Sequence, residues 1–353
     1  MQQAIRVGIA GYGVAAKVMH LPFLTQSPYY KLVSIQERHR EESREKYPWV
    51  RIVRTIDELV DDPETDLIVI TTPNDSHFPY AQKAMRAGKH VVVEKPFTIT
   101  TEEAASLIRL SKETGVVLSV FQNRRYVADF LTIQQLLRAD LLGPLVEFSA
   151  HYDRYRPALR PNAWREKEVP GSGILYDLGA HLIDQALYLF GHPRTITADI
   201  RRQRAGIEAD DYFDLWLDYG LLKVTLKAGM LVREPGIRYT LHGLRGSFLK
   251  SGEDPQEALL KADVLPGGPD WGKEPAEQWG LLHTETPNGK IIREAYPSLP
   301  GNFGSYYDNL AHTLLEGMPL RERPEQSYNS VRLIELALES RRQGKTLECT
   351  GLL

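Results

Sequence analysis

The chain has 353 residues, of which 42% are hydrophobic and 25% charged, and its formal net charge is -3 at pH 7. This composition is that of a globular protein large enough for two domains, and it excludes a disordered chain. Basic and acidic residues are scattered, which disfavours a nucleic-acid or acidic-membrane surface, so we expect a small-molecule partner. The single Cys349 excludes an intrachain disulfide, and no signal peptide or membrane-length apolar run is visible; we expect a cytoplasmic protein.

A glycine-rich turn follows the first predicted strand. The apolar run from Ile5 to Ala10 leads directly into Gly11-x-Gly13-x-x-Ala16, the pattern that opens a helix in a dinucleotide-binding βαβ unit. Gly11 permits the tight turn, Gly13 lets the backbone approach a pyrophosphate, and the helix N-terminus attracts that anion. Glycine also serves ordinary turns, but here a strand precedes the pattern and a helical pattern follows it. The predicted cofactor contacts in this turn are Gly11, Tyr12, Gly13, Val14 and Ala15.

The second predicted strand, residues 31–36, ends at two residues with opposite preferences for the cofactor. Glu37 stands where an acidic residue accepts hydrogen bonds from the adenosine ribose, which favours NAD. The neighbouring Arg38 can pair with the 2′-phosphate of NADP. The alternative to a cofactor role is an exposed charge pair at the start of the next helix. NAD or NADP therefore stays open at this point.

Strands and helices alternate up to residue 122, which predicts a doubly wound, mainly parallel sheet with helices on both faces, that is, a Rossmann domain over residues 1–122. Thr55 and the capping box Thr100-x-x-Glu103 mark helix starts, and Gly88 and Gly115 mark helix ends. The predicted elements are a strand at 51–53, a helix at 55–61, a strand at 66–71, a helix to 87, a strand at 90–93, a helix to 115 and a strand at 116–121.

Two segments follow predicted strands at the edge where such sheets bind ligands. The loop from Thr72 to His77 follows the strand at 66–71, and Glu94-Lys95-Pro96 follows the strand at 90–93. Lysines are mostly solvated surface residues. Lys95, however, follows three valines and precedes a proline that restricts the backbone, so its side chain is predicted to point to the crevice for the nicotinamide.

The alternation stops near residue 122, and the rest of the chain predicts an α+β domain over residues 123–353 with a large, mostly antiparallel open sheet. Residues 251–302, rich in Pro, Gly and Trp, are interpreted as an irregular excursion. An exposed sheet face needs a cover, which suggests a homodimer or homotetramer through this sheet. The predicted elements are a helix at 130–138, strands at 144–153, 195–203, 211–218, 221–229 and 237–242, and helices at 304–316 and 325–342.

One predicted helix of the second domain carries an unusual polar stripe. Helical spacing places Asp177, His181, Asp184 and Tyr188 on one side and apolar residues on the other. The alternative interpretation is a solvent-exposed helix face, but such a face is typically rich in Lys and Glu, and this stripe contains neither. Asp177 and His181 are one turn apart, so the carboxylate can orient the imidazole, whose pKa suits proton transfer near neutrality.

These motifs together resemble the Gfo/Idh/MocA family, named for glucose-fructose oxidoreductase, inositol dehydrogenase and rhizopine catabolism. The resemblance covers nearly the whole chain and is closest to the branch that includes scyllo-inositol dehydrogenases. It is carried by Gly11-x-Gly13-x-x-Ala16, Glu94-Lys95-Pro96, Gln122-Asn123-Arg124-Arg125, Tyr155-Arg156-Pro157, Trp164-Arg165-Glu166 and Tyr176-Asp177-Leu178-Gly179-Ala180-His181.

The resemblance implies roles for particular residues. Lys95, Asp177 and His181 match the catalytic set, in which the lysine contacts the substrate hydroxyl and the nicotinamide. Related NADP users often have Ser or Arg where Glu37 stands. Further matched positions line the cofactor, namely Thr72, Pro73, Asn74, His77 and Glu94, or build the sugar pocket, namely Asn123, Arg124, Tyr155, Trp164 and Arg165.

The expected activity is reversible hydride transfer between NAD or NADP and the CH–OH group of a polyol, a cyclitol or a sugar, with no metal. His181, oriented by Asp177, is the expected general base, and Lys95 the group that stabilises the developing negative charge. One alternative is a non-catalytic sensor of nucleotide and sugar, which would not need this catalytic set. A second is a glycoside hydrolase that oxidises its substrate transiently with tightly held NAD.

Overall fold

Six parallel strands form the sheet of the first unit of the computed structural model, which describes residues 4–161 and 163–353. Their spatial order is β3-β2-β1-β4-β5-β6. Strands β1 and β4 are neighbours although β2 and β3 lie between them in sequence, so the order reverses at β1. The bounds are β1 Ile5–Ala10, β2 Tyr30–Gln36, β3 Arg51–Val53, β4 Leu67–Ile70, β5 His90–Val93 and β6 Leu118–Val120.

Helices connect these strands, and their ends have the chemistry that the sequence indicates. Thr55 accepts a hydrogen bond from the Glu58 N–H at 3.2 Å, and Thr100 with Glu103 forms a complete capping box. Gly115 ends its helix with φ +70°. The helices are α1 Leu21–Gln26, α2 Ser43–Lys46, α3 Ile56–Val60, α4 His77–Arg86 and α5 Thr101–Thr114.

The first unit comprises residues 1–123 together with two later segments, 256–271 and 302–328. These segments contain α8 Gln256–Lys261 and α9 Gly304–Glu316. Their packing is aromatic and polar: Phe303 and Trp271 lie edge-on to Phe23, and the Tyr306 hydroxyl donates to Ser119 at 2.8 Å. Later parts of the chain therefore complete the core of the first unit.

Nine strands form the sheet of the second unit, residues 124–255, 272–301 and 329–353. Their order is β14-β13-β12-β11-β7-β10-β9-β8-β15, and only the β7–β10 pair is parallel. This confirms the predicted fold class. The bounds are β7 Leu145–His151, β8 Thr195–Arg201, β9 Tyr212–Asp218, β10 Lys223–Gly229, β11 Tyr239–Gly243, β12 Gly246–Lys250, β13 Gly280–Glu285, β14 Ile291–Tyr296 and β15 Leu347–Glu348.

The core of the second unit lies between one face of this sheet and its helices. Fully buried side chains from the strands, such as Phe148 and Phe213, share one apolar cluster with Leu182 and Ile183 of α7. On the other face alternate residues are more exposed, and Trp216 is 50% exposed. The helices are α6 Ala128–Arg138, α7 Ala180–Phe190 and α10 Pro324–Gln343, the last beginning in the first unit.

The interpretation of residues 251–302 as an irregular excursion is wrong. The segment contains α8 and the hairpin β13–β14, which extends the nine-stranded sheet. Most residues of β14 are exposed, so its sequence lacks the apolar alternation that indicates a half-buried strand. The hairpin turn at Asn288-Gly289, where Gly289 has φ +81°, is the one local signal that was available.

No helix within residues 4–161 and 163–353 combines the length and the apolar character that crossing a membrane requires.

Candidate functional site

The glycine turn after β1 has the geometry of an anion cradle. Gly11 has φ +94°, a left-handed value that side chains rarely adopt, and a Cβ there would lie 3.0 Å from Thr72 Cγ2. A Cβ built on Gly13 would meet nothing within 4 Å, so the backbone at Gly13 faces open space. The Thr71 hydroxyl lies within 3.1 Å of the carbonyl oxygens of Ala10 and Gly11 and ties the turn to β4. These features fit the pyrophosphate of a dinucleotide.

The helix after this turn begins in a wide π-helical turn, Ala15–His20, and continues as α1. Pro22, in the first turn of α1, has no N–H to donate, which disfavours an unbroken α-helix through this point. The prediction of a helix here is confirmed, but its π-helical start was not foreseen. Such turns occur frequently at functional sites, and this one directs His20 into the protein interior.

Glu37 and Arg38, at the end of β2, have different environments. The Glu37 carboxylate is buried, and its two oxygens accept hydrogen bonds from the backbone N–H groups of Glu42 and Ser43, each at 2.9 Å. Arg38 is exposed and forms no ion pair within the described ranges. The carboxylate therefore organises the loop before α2, while the guanidinium faces solvent.

The loop after β4 is held to the loop after β5 by His77. Its ring nitrogens lie 2.8 Å from the Pro96 carbonyl oxygen and 3.0 Å from the Thr72 carbonyl oxygen, and its side chain is buried. Burial lowers the pKa of His77, although hydrogen bonds to the backbone act in the opposite direction. The His77 ring thus lies between Thr72, predicted to line the cofactor, and the segment containing Lys95.

Glu94 and Lys95 lie where β5 ends. Glu94 is buried, and its Oε2 accepts the Lys95 backbone N–H at 3.0 Å. Burial alone would raise the pKa of Glu94, but the hydrogen bond from His20 and the charges of His20 and Lys95 outweigh it, so the pKa is lowered. The Glu94 side chain is therefore an ionised carboxylate fixed by its hydrogen bonds, and Lys95 is half-buried beside it.

A pocket of the second unit brings together three of the predicted substrate residues. It encloses about 560 Å³, including the solvent at its mouth, and its lining includes Trp164, Arg165 and Asp177. The Arg165 guanidinium lies 4.6 Å from the centre of the Trp164 indole, and its Nε lies 3.7 Å from Asp177 Oδ1. An aromatic face, a carboxylate and a guanidinium suit the hydroxyls and apolar faces of a polyol or sugar ring.

Asp177 projects from a second π-helical turn, Leu175–Gly179, that leads into α7. Asp210 holds the start of this turn: its Oδ2 accepts the Leu175 N–H at 2.8 Å, and its carbonyl accepts the Ile174 N–H at 3.0 Å. A Cβ on Gly173 would overlap the Asp210 carboxyl, so only glycine allows this contact. Burial raises the pKa of Asp210 to about 6 despite these hydrogen bonds.

We expect Asp210 to make stability pH-dependent. Between its unfolded pKa of 3.8 and its folded pKa of about 6, the folded chain keeps a proton that the unfolded chain loses. Asp210 therefore lowers the free energy of unfolding as the pH rises through that window, by roughly 1–3 kcal/mol. In Asp210→Asn this loss should be absent, so urea denaturation from pH 4 to 7 should show the variant gaining relative to the wild type. Parallel profiles would contradict this expectation, and Asp61→Asn, at an exposed position, is the control.

The predicted polar stripe of α7 serves more than one purpose. His181 is 6% exposed, with its ring centre 6.5 Å from that of Tyr152. Asp184 is buried in a bidentate ion pair with Arg125, at 2.6 and 2.7 Å, and Tyr188 packs against the same guanidinium at 4.8 Å. This half of the stripe anchors α7 and does not supply a free carboxylate.

The remaining predicted substrate residues lie in separate places. Asn123 belongs to the first unit, with its Nδ2 4.0 Å from Met19 Sδ. Arg124 belongs to the second unit and accepts a hydrogen bond on its carbonyl from Gln185 at 2.9 Å. The Tyr155 ring lies 4.0 Å from the Arg233 guanidinium, and the residue is 41% exposed.

Several side chains near these sites were not among the predicted site residues. Arg156, Arg204 and Asp210 line the pocket of the second unit, and His20 contacts Glu94 in the first. Arg204 is buried in ion pairs with Asp211 and Glu166. No local pattern marks these contacts: His20 and Glu94 are 74 positions apart, and even Arg204 and Asp211, seven positions apart, form no recognised motif. For His20, the one signal in the sequence was a histidine four residues after the glycine pattern that ends at Ala16.

The comparisons with known proteins agree with this geometry. The model for the NAD-binding Rossmann fold of the Gfo/Idh/MocA oxidoreductase family matches residues 5–122, and the model for that family's C-terminal alpha/beta domain matches residues 134–349. The chain belongs to the Gfo/Idh/MocA oxidoreductase family. It is therefore an oxidoreductase with a nicotinamide dinucleotide domain.

Relatives of this oxidoreductase cover nearly its whole length. It is 40% identical over 343 residues to scyllo-inositol 2-dehydrogenase (NADP(+)) IolW of Bacillus subtilis, which spans 97% of this chain and 95% of that protein. It is 42% identical over 347 residues to the uncharacterized oxidoreductase YdgJ of Escherichia coli, over 98% of this chain and 99% of that protein. The YvaA structure from Bacillus subtilis has a TM-score of 0.95 at 40% identity, over 99% of both chains.

Proposed function

We propose that this oxidoreductase transfers a hydride between NADP and the CH–OH group of a polyol, cyclitol or sugar. The observation that carries the proposal is the arrangement of the first unit at its carboxyl edge. The open glycine turn follows β1, and the Glu94-Lys95 pair follows β5, with β4 between these strands. An anion cradle and an amine at one edge of a doubly wound sheet suit a dinucleotide whose reactive ring is near a charged group.

The nicotinamide, when bound, supplies the hydride acceptor and donor. The chain's own residues supply orientation, charge and proton transfer. We assign Lys95 to hold the substrate oxygen and stabilise the negative charge that develops on it as the hydride leaves. His181 takes the hydroxyl proton as general base, and Asp177 orients the imidazole. The cofactor contacts assigned in the first unit are Gly11, Tyr12, Gly13, Val14, Ala15, Arg38, Thr72, Pro73, Asn74 and His77.

A cyclitol is the proposed substrate class. The pocket with Trp164, Arg165 and Asp177 offers an apolar ring face beside a paired carboxylate and guanidinium, which suits a ring with a hydroxyl on every carbon. The relative IolW, at 40% identity, is named a scyllo-inositol 2-dehydrogenase. Asn123, Arg124, Tyr155 and His181 complete the proposed set of substrate residues.

NADP is the proposed cofactor rather than NAD. Both oxygens of the Glu37 carboxylate are engaged by backbone N–H groups, so Glu37 has less capacity to accept the ribose hydroxyls that select NAD. Arg38 is exposed and forms no ion pair among the residues that the structure describes, so its guanidinium is available for a 2′-phosphate. IolW is also named as an NADP enzyme.

The experiment that tests the function is a spectrophotometric screen for reduced nicotinamide. Inositol isomers and aldoses are each mixed with NAD or NADP, and we expect release of NADPH with at least one cyclitol. A sensor that only binds nucleotide and sugar would release none. A glycoside hydrolase that retains its NAD would cleave a glycoside without net reduction. Absence of NADPH and NADH with every polyol and sugar would contradict the proposal.

A further inference from the structure

A chain of buried polar groups joins α9 to Lys95 within the first unit. His20 has no exposed surface; its Nδ1 lies 2.5 Å from the Tyr307 hydroxyl and its Nε2 2.8 Å from Glu94 Oε1. The other oxygen of Glu94 accepts the Lys95 backbone N–H at 3.0 Å. The side chains of Tyr307, His20 and Glu94, from separate parts of the sequence, thus form a hydrogen-bonded chain to Lys95, the residue proposed to hold the substrate oxygen.

The proton positions in this chain follow from its surroundings. Burial, with the neighbouring tyrosines and Glu94, raises the pKa of Tyr307 well above its usual range, so the hydroxyl keeps its proton. The pKa of Glu94 is lowered and its carboxylate can only accept, so His20 Nε2 donates the hydrogen bond at 2.8 Å. The Tyr307 hydroxyl is the hydrogen-bond partner of His20 Nδ1, so both ring nitrogens of His20 are held.

Stability alone does not explain this arrangement. The His20 ring packs 4.3 Å from the Phe121 ring, and Tyr30 and Tyr306 lie edge-on to Tyr307. In such an aromatic setting a buried carboxylate is costly, and apolar side chains of similar volume are often as stable or more stable. A fully satisfied buried network instead restricts its members to one geometry.

We propose that His20 is a positioning residue for the chemical step: it holds the Glu94 side chain, which fixes the backbone from which Lys95 projects. Tyr307 supports it by holding His20 through Nδ1. This inference rests on the proposed role of Lys95. Neither His20 nor Tyr307 is proposed to touch the substrate or the cofactor.

Two substitutions of His20 separate positioning from packing. His20→Gln places an amide nitrogen near the position of Nε2 and keeps a donor to Glu94, whereas His20→Asn keeps a polar group near Nδ1 only. We expect His20→Gln to retain kcat within about threefold and His20→Asn to lower it by about tenfold to hundredfold, the usual effect of displacing a catalytic group by about 1 Å. Affinity for NADPH, measured by fluorescence, should stay unchanged in both.

Tyr307→Phe is the milder variant, because it removes only the hydroxyl. We expect kcat to fall by about threefold to tenfold, since His20 Nδ1 loses the hydroxyl that holds the ring. The ¹⁵N spectrum of the wild type should show a proton on His20 Nε2, and Tyr307→Phe should alter that spectrum. This readout needs neither substrate nor turnover, so it remains informative even if no polyol is oxidised.

The outcomes are distinguishable. Absence of NADPH release by the wild type would refute the proposed function, while the spectrum would still report the hydrogen bonds. An active wild type with His20→Asn equally fast, or with His20→Gln as slow as His20→Asn, would refute the positioning role. A merely structural role would lower the melting temperature and leave kcat per NADPH-binding site unchanged, which would also refute it.

Discussion

Replacement of Lys95 or His181 by alanine is expected to lower kcat by about 10²–10⁴-fold, the usual contribution of a positioned acid or base and of charge stabilisation. Lys95→Ala removes the ammonium that stabilises the oxygen, and His181→Ala removes the proton acceptor. Affinity for NADPH should survive, because the glycine turn that holds the pyrophosphate is unchanged. Steady-state kinetics with NADPH-binding fluorescence provides the measurement.

The chain offers a matched control for each of these two substitutions, one lysine and one histidine. Lys112 is exposed and pairs with Glu325 at 3.1 Å, and His312 pairs with Glu316 at the surface. Lys112→Ala and His312→Ala should leave kcat unchanged. In the double variant of Lys95 and His181, groups that act in one step should show losses smaller than the product of the single losses. Unchanged kcat in both single variants would overturn the assignment.

Replacement of Arg38 by alanine is expected to raise KM for NADP by about tenfold to hundredfold and to leave KM for NAD unchanged. A hydrogen-bonded contact to a charged group contributes about 1.5–3 kcal/mol, and Arg38 is the candidate partner of the 2′-phosphate. Since Arg38 is exposed, the effect should shrink as ionic strength rises. Kinetics with both cofactors at low and high salt gives the measurement.

Arg40→Ala is the control for this prediction, because Arg40 is also exposed and its guanidinium already pairs with Glu42 at 2.6 Å. It should change KM for NADP much less. An equal loss of affinity for NAD and NADP in Arg38→Ala, or no loss of either, would show that Arg38 does not select the cofactor.

Local patterns were sufficient to predict most of the first unit. The strand at 90–93 has the predicted bounds, and Thr55, the Thr100–Glu103 box and Gly115 end or begin helices as expected. Each of these signals depends on neighbouring residues. A buried strand is indicated by a run of apolar residues, and a helix cap by one side chain that accepts from a nearby free N–H. The sequence is informative where structure is decided within one turn or strand.

The features that the sequence did not reveal depend on distant residues. The two π-helical turns have no composition that distinguishes them from α-helix, and the contacts of His20 join residues 74 and 287 positions apart. Glu37 shows that the limit also applies at short range, because its hydrogen bonds to Glu42 and Ser43, five and six positions on, depend on how the loop folds back. The homodimer or homotetramer through the nine-stranded sheet stays a prediction, as do the roles of the catalytic set.

The most direct test of the account is direct transfer of the carbinol hydrogen. The enzyme is given NADP and a cyclitol that the screen identifies as a substrate, prepared with deuterium on the oxidised carbon, and the NADPH formed is analysed by mass spectrometry. We predict one deuterium atom on C4 of the reduced nicotinamide, and a slower reaction than with the unlabelled compound. Reduced cofactor without deuterium, or turnover of the cyclitol without reduced cofactor, would contradict the hydride transfer proposed for this oxidoreductase.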